Sequence, residues 1–256
     1  MLLALLCLLI GVGLAPGATG ASAPPRHSVD VRGHEQVLLV YGSPRGDPVI
    51  VSSGDGGWTH LGPHVAEFLS GRGFYVIGFD VRAYLSGFTS GQTTLRAANE
   101  PGDYHVLTQL ARKRTGKRPL LIGVSEGAGL SVLAATDAST KADISGVIGL
   151  GLPDLNELGW RWRDALIYLT HGAPNEPMFS AAAIVARVTP IPLAAIHSTH
   201  DEFVPPAEIA RVLENAKEPK RLWIVDASNH GFSGNLAAFD RQLLDAIAWV
   251  RMHAPQ

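Results

Sequence analysis

The sequence predicts an α/β fold, a mostly parallel central sheet with helices on both faces. Three observations carry it. Short apolar, β-rich runs alternate with segments of helical pattern along most of the chain. The strand runs are apolar throughout, as expected of strands buried on both faces. The composition is 46% hydrophobic and 17% charged over 256 residues, which suits one globular domain of this class.

The elements follow in order. Residues 1–23 read as a secretory signal peptide. Leu2 to Ala15 is apolar and uncharged, Ala21-Ser22-Ala23 is a small-x-small cleavage signature, and the first charged side chain is Arg26. The apolar run is shorter than the about 20 residues of a spanning helix. Residues 24–256 are then the folded domain, expected in the periplasm or outside the cell. The single cysteine, Cys7, lies in the leader, so the mature chain has no thiol for a disulfide, a nucleophile or a zinc site.

Val37–Tyr41 and Val49–Ser52 read as strands joined by the turn-rich Gly42–Pro48. Pro63–Arg72 reads as a helix, Tyr75–Val81 as a buried strand, and Asp103–Arg114 as a helix with a basic last turn. Leu120–Val124 is a strand, Glu126–Thr136 a helix of small residues and Ile144–Leu150 the next strand. Residues 154–189 break the rhythm with Trp160, Trp162, Pro174 and Pro177, and are expected to form a small lid. The alternation resumes with strand Leu193–His197, helix Pro206–Asn215, strand Leu222–Val225 and helix Leu236–Arg251.

The chemistry concentrates at Gly123-Val124-Ser125-Glu126-Gly127. A G-x-S-x-G motif is informative only between a strand and a helix, and here the apolar Leu120–Ile122 enters it and a small-residue helix leaves it. That arrangement makes Ser125 a candidate nucleophile. A serine hydroxyl needs a base, and the base needs an orienting acid. His230 follows the last strand and is the expected general base. Asp201 follows the preceding strand and is the expected acid, with its neighbour Glu202 as the rival. The order Ser, Asp, His is that of the α/β-hydrolases, and it places all three residues on one edge of a parallel sheet. Ser52-Ser53-Gly54-Asp55-Gly56-Gly57-Trp58 supplies the oxyanion loop. Its expected donors are the amides of Asp55, with Gly56 as the alternative, and of Glu126.

Other chemistries fit poorly. A net charge of −2 offers nothing to nucleic acid. No Gly-Lys-Ser/Thr completes a phosphate loop, and His60 with His64 lacks the glutamate of a zinc peptidase. No metal and no cofactor is expected.

On these residues the mature chain resembles the α/β-hydrolase superfamily, and Ser53-Gly54-Asp55-Gly56-Gly57-Trp58 is similar to a signature of the AcvB/VirJ-type bacterial virulence family. The stretch Gly73–Arg82 is similar as well. The resemblance implies a periplasmic location and hydrolysis of aminoacylated phospholipids such as lysyl-phosphatidylglycerol. The serine motif departs from that family, which tends to carry an aromatic before the serine and Phe after it, where this chain has Val124 and Glu126. The expected reaction is acyl transfer from a small-molecule or lipid ester to Ser125, with peripheral contact to membrane lipid. The competing readings are a non-catalytic binding protein of the same fold and an exported serine peptidase. The residues add one hint of their own: if Asp55 or Glu126 faces the pocket, the mouth is anionic and favours a cationic acyl group.

Overall fold

The computed structural model describes residues 23–162 and 176–255. The expected signal peptide, but for Ala23, lies outside them. Eight strands form one sheet: β1 (Arg26–Val31), β2 (His34–Tyr41), β3 (Pro48–Ser52), β4 (Tyr75–Phe79), β5 (Leu120–Val124), β6 (Gly146–Leu150), β9 (Leu193–Ser198) and β10 (Lys220–Val225). Their spatial order is β1-β2-β4-β3-β5-β6-β9-β10. β2 runs antiparallel to both β1 and β4, and every other pairing is parallel.

Burial follows from this order. Every residue of β3, β4, β5, β6 and β9 is buried, because helices cover both faces of these central strands. β1, at one edge, is mostly exposed. One core layer packs α1 (Leu61–Ser70) and α8 (Leu236–His253) on the sheet through Val65, Leu69, Phe239, Leu243 and Ile247. The opposite layer packs α2 (Val81–Phe88), α3 (Glu100–Thr115), α4 (Glu126–Ala134) and α7 (Pro206–Asn215), with Tyr84, Tyr104, Leu130 and Val212 in its core. A short helix α5 (Ala138–Asp143) bridges α4 and β6.

Two boundaries differ from expectation for local reasons. The strand expected to reach Val81 stops at Phe79, because Asp80 caps α2 by accepting the Ala83 N–H at 3.0 Å. The helix expected from Asp103 starts at Glu100, with Pro101 in its first turn, where a missing N–H costs nothing.

The expected lid interval contains an antiparallel ribbon, β7 (Leu155–Glu157) with β8 (Met178–Ser180), then α6 (Ala181–Ile184) and a 3-10 turn at Val185–Arg187. Residues 163–175 of the interval lie outside the described residues. Asp154 anchors the ribbon: its carboxylate accepts from Ser180 Oγ (2.7 Å), the Ala182 N–H (2.9 Å) and Arg211 Nη2 (2.7 Å). Burial opposes the charge on Asp154, but these three donors outweigh it and hold the carboxyl below its usual range.

Candidate active site

Ser125 sits between β5 and α4 with φ 50° and ψ −117°, a left-handed conformation that costs a side-chain-bearing residue about 1–3 kcal/mol. The surroundings enforce it. A Cβ on Gly123 would lie 2.1 Å from the Gly127 carbonyl oxygen, and one on Gly127 would lie 2.3 Å from that of Ser53. The motif's two glycines therefore let α4 fold back against β5 and β3. The Ser125 N–H donates to the Leu150 carbonyl at 2.8 Å, which fixes the turn to the end of β6.

His230 and Asp201 meet on the same sheet edge. His230 Nδ1 hydrogen bonds to Asp201 Oδ2 at 2.7 Å. The other oxygen, Oδ1, accepts the N–H groups of Val204 (2.8 Å) and Phe203 (3.0 Å). Burial pushes the Asp201 carboxyl up, but the His230 ring and the two amides overcome it and hold the group below its usual range. Of the two rival acids, Asp201 is thus the one bonded to the ring. Glu202 holds the histidine's backbone instead, accepting the His230 N–H at 2.7 Å. Phe203 packs edge-to-face on the imidazole, with centroids 5.6 Å apart.

His230 Nε2 is buried and bonds to no protein group among the described residues. The ring lies against Gly151, where a Cβ would come within 2.5 Å of His230 Cε1. Gly151 directly follows Leu150, the acceptor of the Ser125 amide. The turn after β6 therefore touches both the serine backbone and the histidine ring. His200 serves the scaffold: its Nδ1 contacts the Ala227 carbonyl at 3.0 Å and helps tie the loops after β9 and β10.

The loop expected to supply oxyanion donors is held by Trp58. Its indole covers Gly78 of β4, where a Cβ would lie 2.4 Å from the ring. Its Nε1–H donates to Tyr41 Oη at 3.1 Å, and its backbone N–H donates to Asp80 Oδ2 at 3.3 Å. Gly54 comes closest to the nucleophile, with space for a Cβ only 3.4 Å from Ser125 Cβ. The amides of Asp55, Gly56 and Glu126 donate to no protein acceptor among the described residues. They remain available to an incoming oxygen, and the Glu126 amide opens helix α4.

Glu126 does not point to solvent. Its side chain is buried beside Ser125, and burial first, then the carboxylates of Asp55 and Glu157, push its carboxyl well above the usual range. Glu157, on β7, went unnoticed in the sequence, because a glutamate in an irregular segment carries no local signal of its position.

Among the described residues, no group of three or more His, Cys, Asp or Glu side chains is placed to hold a metal ion. His64 bonds to Asp240 at 2.8 Å.

The strand order, the strained serine at the β5–α4 elbow, and the acid and histidine after successive strands define an α/β-hydrolase fold. The chain belongs to the bacterial virulence protein (VirJ) family, whose model matches residues 47–249. It is 27% identical over 169 residues to the uncharacterized protein YfhR of Escherichia coli O157:H7. That match covers 65% of this chain and 56% of YfhR, so the chain spans little more than half of that relative. Among solved structures it is similar to the α/β hydrolase GrgF from Penicillium sp. sh18, with TM-score 0.66, 16% identity and coverage of 90% of this chain and 99% of that one. It is also similar to a membrane phospholipase A described as a bacterial virulence factor, with TM-score 0.61, 14% identity and coverage of 90% and 87%. At such identities these likenesses speak for the fold. The same fold is shared with esterases, lipases and a thioesterase.

Proposed function

We propose that this chain is an exported serine hydrolase that cleaves an ester through an acyl-enzyme on Ser125. The observation that carries the reading is the 2.7 Å bond from His230 Nδ1 to a buried Asp201, with the ring seated on Gly151 beside the serine's elbow. Asp201 fixes the tautomer that leaves Nε2 free as the base. Ser125 Oγ attacks the acyl carbon as Nε2 takes its proton. The oxyanion forms against the amides of Glu126 and Asp55, where donors already in place stabilise charge that develops only in the transition state. The tetrahedral intermediate collapses, Nε2 returns the proton to the leaving alkoxide, and water then releases the acyl group by the same exchange.

The substrate is an aminoacylated phospholipid with a cationic acyl group, of the lysyl-phosphatidylglycerol kind. Three carboxyls, on Asp55, Glu126 and Glu157, interact with one another, and Glu126 directly follows Ser125 in the chain. A cation entering there faces the carboxyls of Asp55 and Glu157 and favours the ionised form of Glu126. Leu155, Trp162 and Phe203 are exposed on the elements flanking the site, which suits contact with a lipid surface from the periplasmic side.

Turnover of matched lysyl and glutamyl esters tests the reading, with Ser125→Ala as control. The expected result is serine-dependent hydrolysis that prefers the lysyl ester. Equal rates would remove the cationic specificity, and no hydrolysis of any ester by folded protein would turn the reading towards a binding module.

A further inference from the structure

Beneath Asp201 lies a second histidine that the proposed mechanism does not use. His197 is on β9, and its side chain is 1% exposed against 0% for that of Asp201. Its Nδ1 stands 3.9 Å from Asp201 Oδ2, the same oxygen that His230 Nδ1 holds at 2.7 Å. One carboxylate oxygen is therefore bracketed by two imidazoles, one at the site and one in the core. Neither ring nitrogen of His197 has a side-chain partner within hydrogen-bond distance among the described residues, and the Val204 backbone is the polar group that meets the ring. A buried imidazole with no side-chain partner is costly, and a leucine would fill such a place in a sheet core at no polar cost.

We propose that His197 is a positioning residue for the triad, a neutral imidazole whose dipole shares Asp201 Oδ2 with His230 and tempers the pull of that carboxylate on the base. The inference rests on the serine-hydrolase reading above and assigns it a residue outside the usual three. Burial disfavours the imidazolium of His197 more strongly than Asp201 favours it, so the ring stays neutral. The ionisable groups around it are Asp201, Glu208 of α7 and His230, with the Val204 backbone beside the ring. Around His230 they are Asp201, Glu202 at its amide, and His197.

The consequence has a sign. With the ring hydrogen on Nδ1, the N–H turned towards Oδ2 offsets part of the negative charge that stabilises the His230 imidazolium. Removing that donor leaves His230 facing a less compensated carboxylate, and its proton affinity rises.

The test compares the wild type with His197→Leu and His197→Met, which lack a donor, and His197→Gln, which keeps an N–H. The readouts are the acid limb of kcat/KM against pH and the His230 titration followed by NMR, which needs no turnover. The expected result is that the Leu and Met variants move both upward by about half to one pH unit, and that Gln restores the wild-type value. Coincident His230 titrations in the wild type and either donorless variant would overturn the inference, whether or not the protein is active. An inactive wild type whose His230 titration still moves would instead count against the proposed function alone. Leu and Met are two independent packing solutions, so one of them failing to fold leaves the comparison intact.

Discussion

Gly151→Ala tests the histidine's placement without replacing any reacting group. The glycine has φ +59°, and its new Cβ would stand 2.5 Å from His230 Cε1 and 2.9 Å from Nδ1. An ordinary carbon contact is about 3.5–4.0 Å, so the ring or the turn must give way by about 1 Å. The turn is held by the Gly151 N–H, which donates to Ile196 at 3.0 Å, and by the Ser125 bond to Leu150. Among the described residues the ring is held by the Asp201 bond and the Phe203 ring contact, a softer hold than the turn's two backbone bonds, so it yields. The left-handed backbone itself costs about 1–2 kcal/mol with alanine, which a domain of this size survives. A misplacement of about 1 Å in a reacting group costs about a hundredfold in rate. Gly151→Ala is therefore expected to unfold a few degrees earlier by calorimetry and to lose about a hundredfold in kcat/KM on a chromogenic ester. Full melting stability together with activity within threefold of wild type would refute the reasoning.

Four further outcomes are expected. Asp201→Asn should lower kcat by the order of ten-thousandfold, the loss seen when a triad acid no longer fixes the histidine tautomer. Asp201 is depressed in the fold, so its stabilisation is present above about pH 4 and fades as pH falls; urea titrations of the Asn variant should show a shallower acid limb than wild type. Glu126 is shifted the other way, so ionising it costs stability as pH rises above its ordinary 4.5. Glu126→Gln should accordingly outlast wild type in urea by a margin that grows as pH rises above about 5, at most about 1.4 kcal/mol per pH unit, and a margin independent of pH would contradict this. Gly78→Ala drives a Cβ to 2.4 Å from the Trp58 ring; overpacking of that kind costs about 1–3 kcal/mol, and it should lower the melting temperature and the esterase rate together.

Much of the fold was legible because the central strands are buried on both sides. Leu120–Val124 and Pro206–Asn215 stand within the expected bounds, since a continuous apolar run and a proline at a helix start are local signals. The edges were less legible. β1 reads Arg-His-Ser-Val-Asp-Val and is mostly exposed, so its pairing with β2 leaves little hydrophobic pattern. α2 was hidden because the apolar run of β4 continues into Val81, and only the Asp80 cap marks the break.

The site divides similarly. The positions of Ser125, Asp201 and His230 followed from the motif and from the strand ends that carry them. The roles of Gly151, Trp58 and His197 did not, because each depends on what a residue far off in sequence places against it. Glu126 was visible as a residue but not as a buried acid, since burial is a property of the ribbon and loops packed over it.

An activated serine at position 125 is tested most directly by treating the purified protein with a fluorophosphonate probe and mapping the adduct by peptide mass spectrometry, beside Ser125→Ala and Asp201→Asn. One adduct is expected on Ser125, absent in the alanine variant and strongly slowed in the asparagine variant. An adduct on another serine, or a folded wild type that takes up no probe, would contradict it.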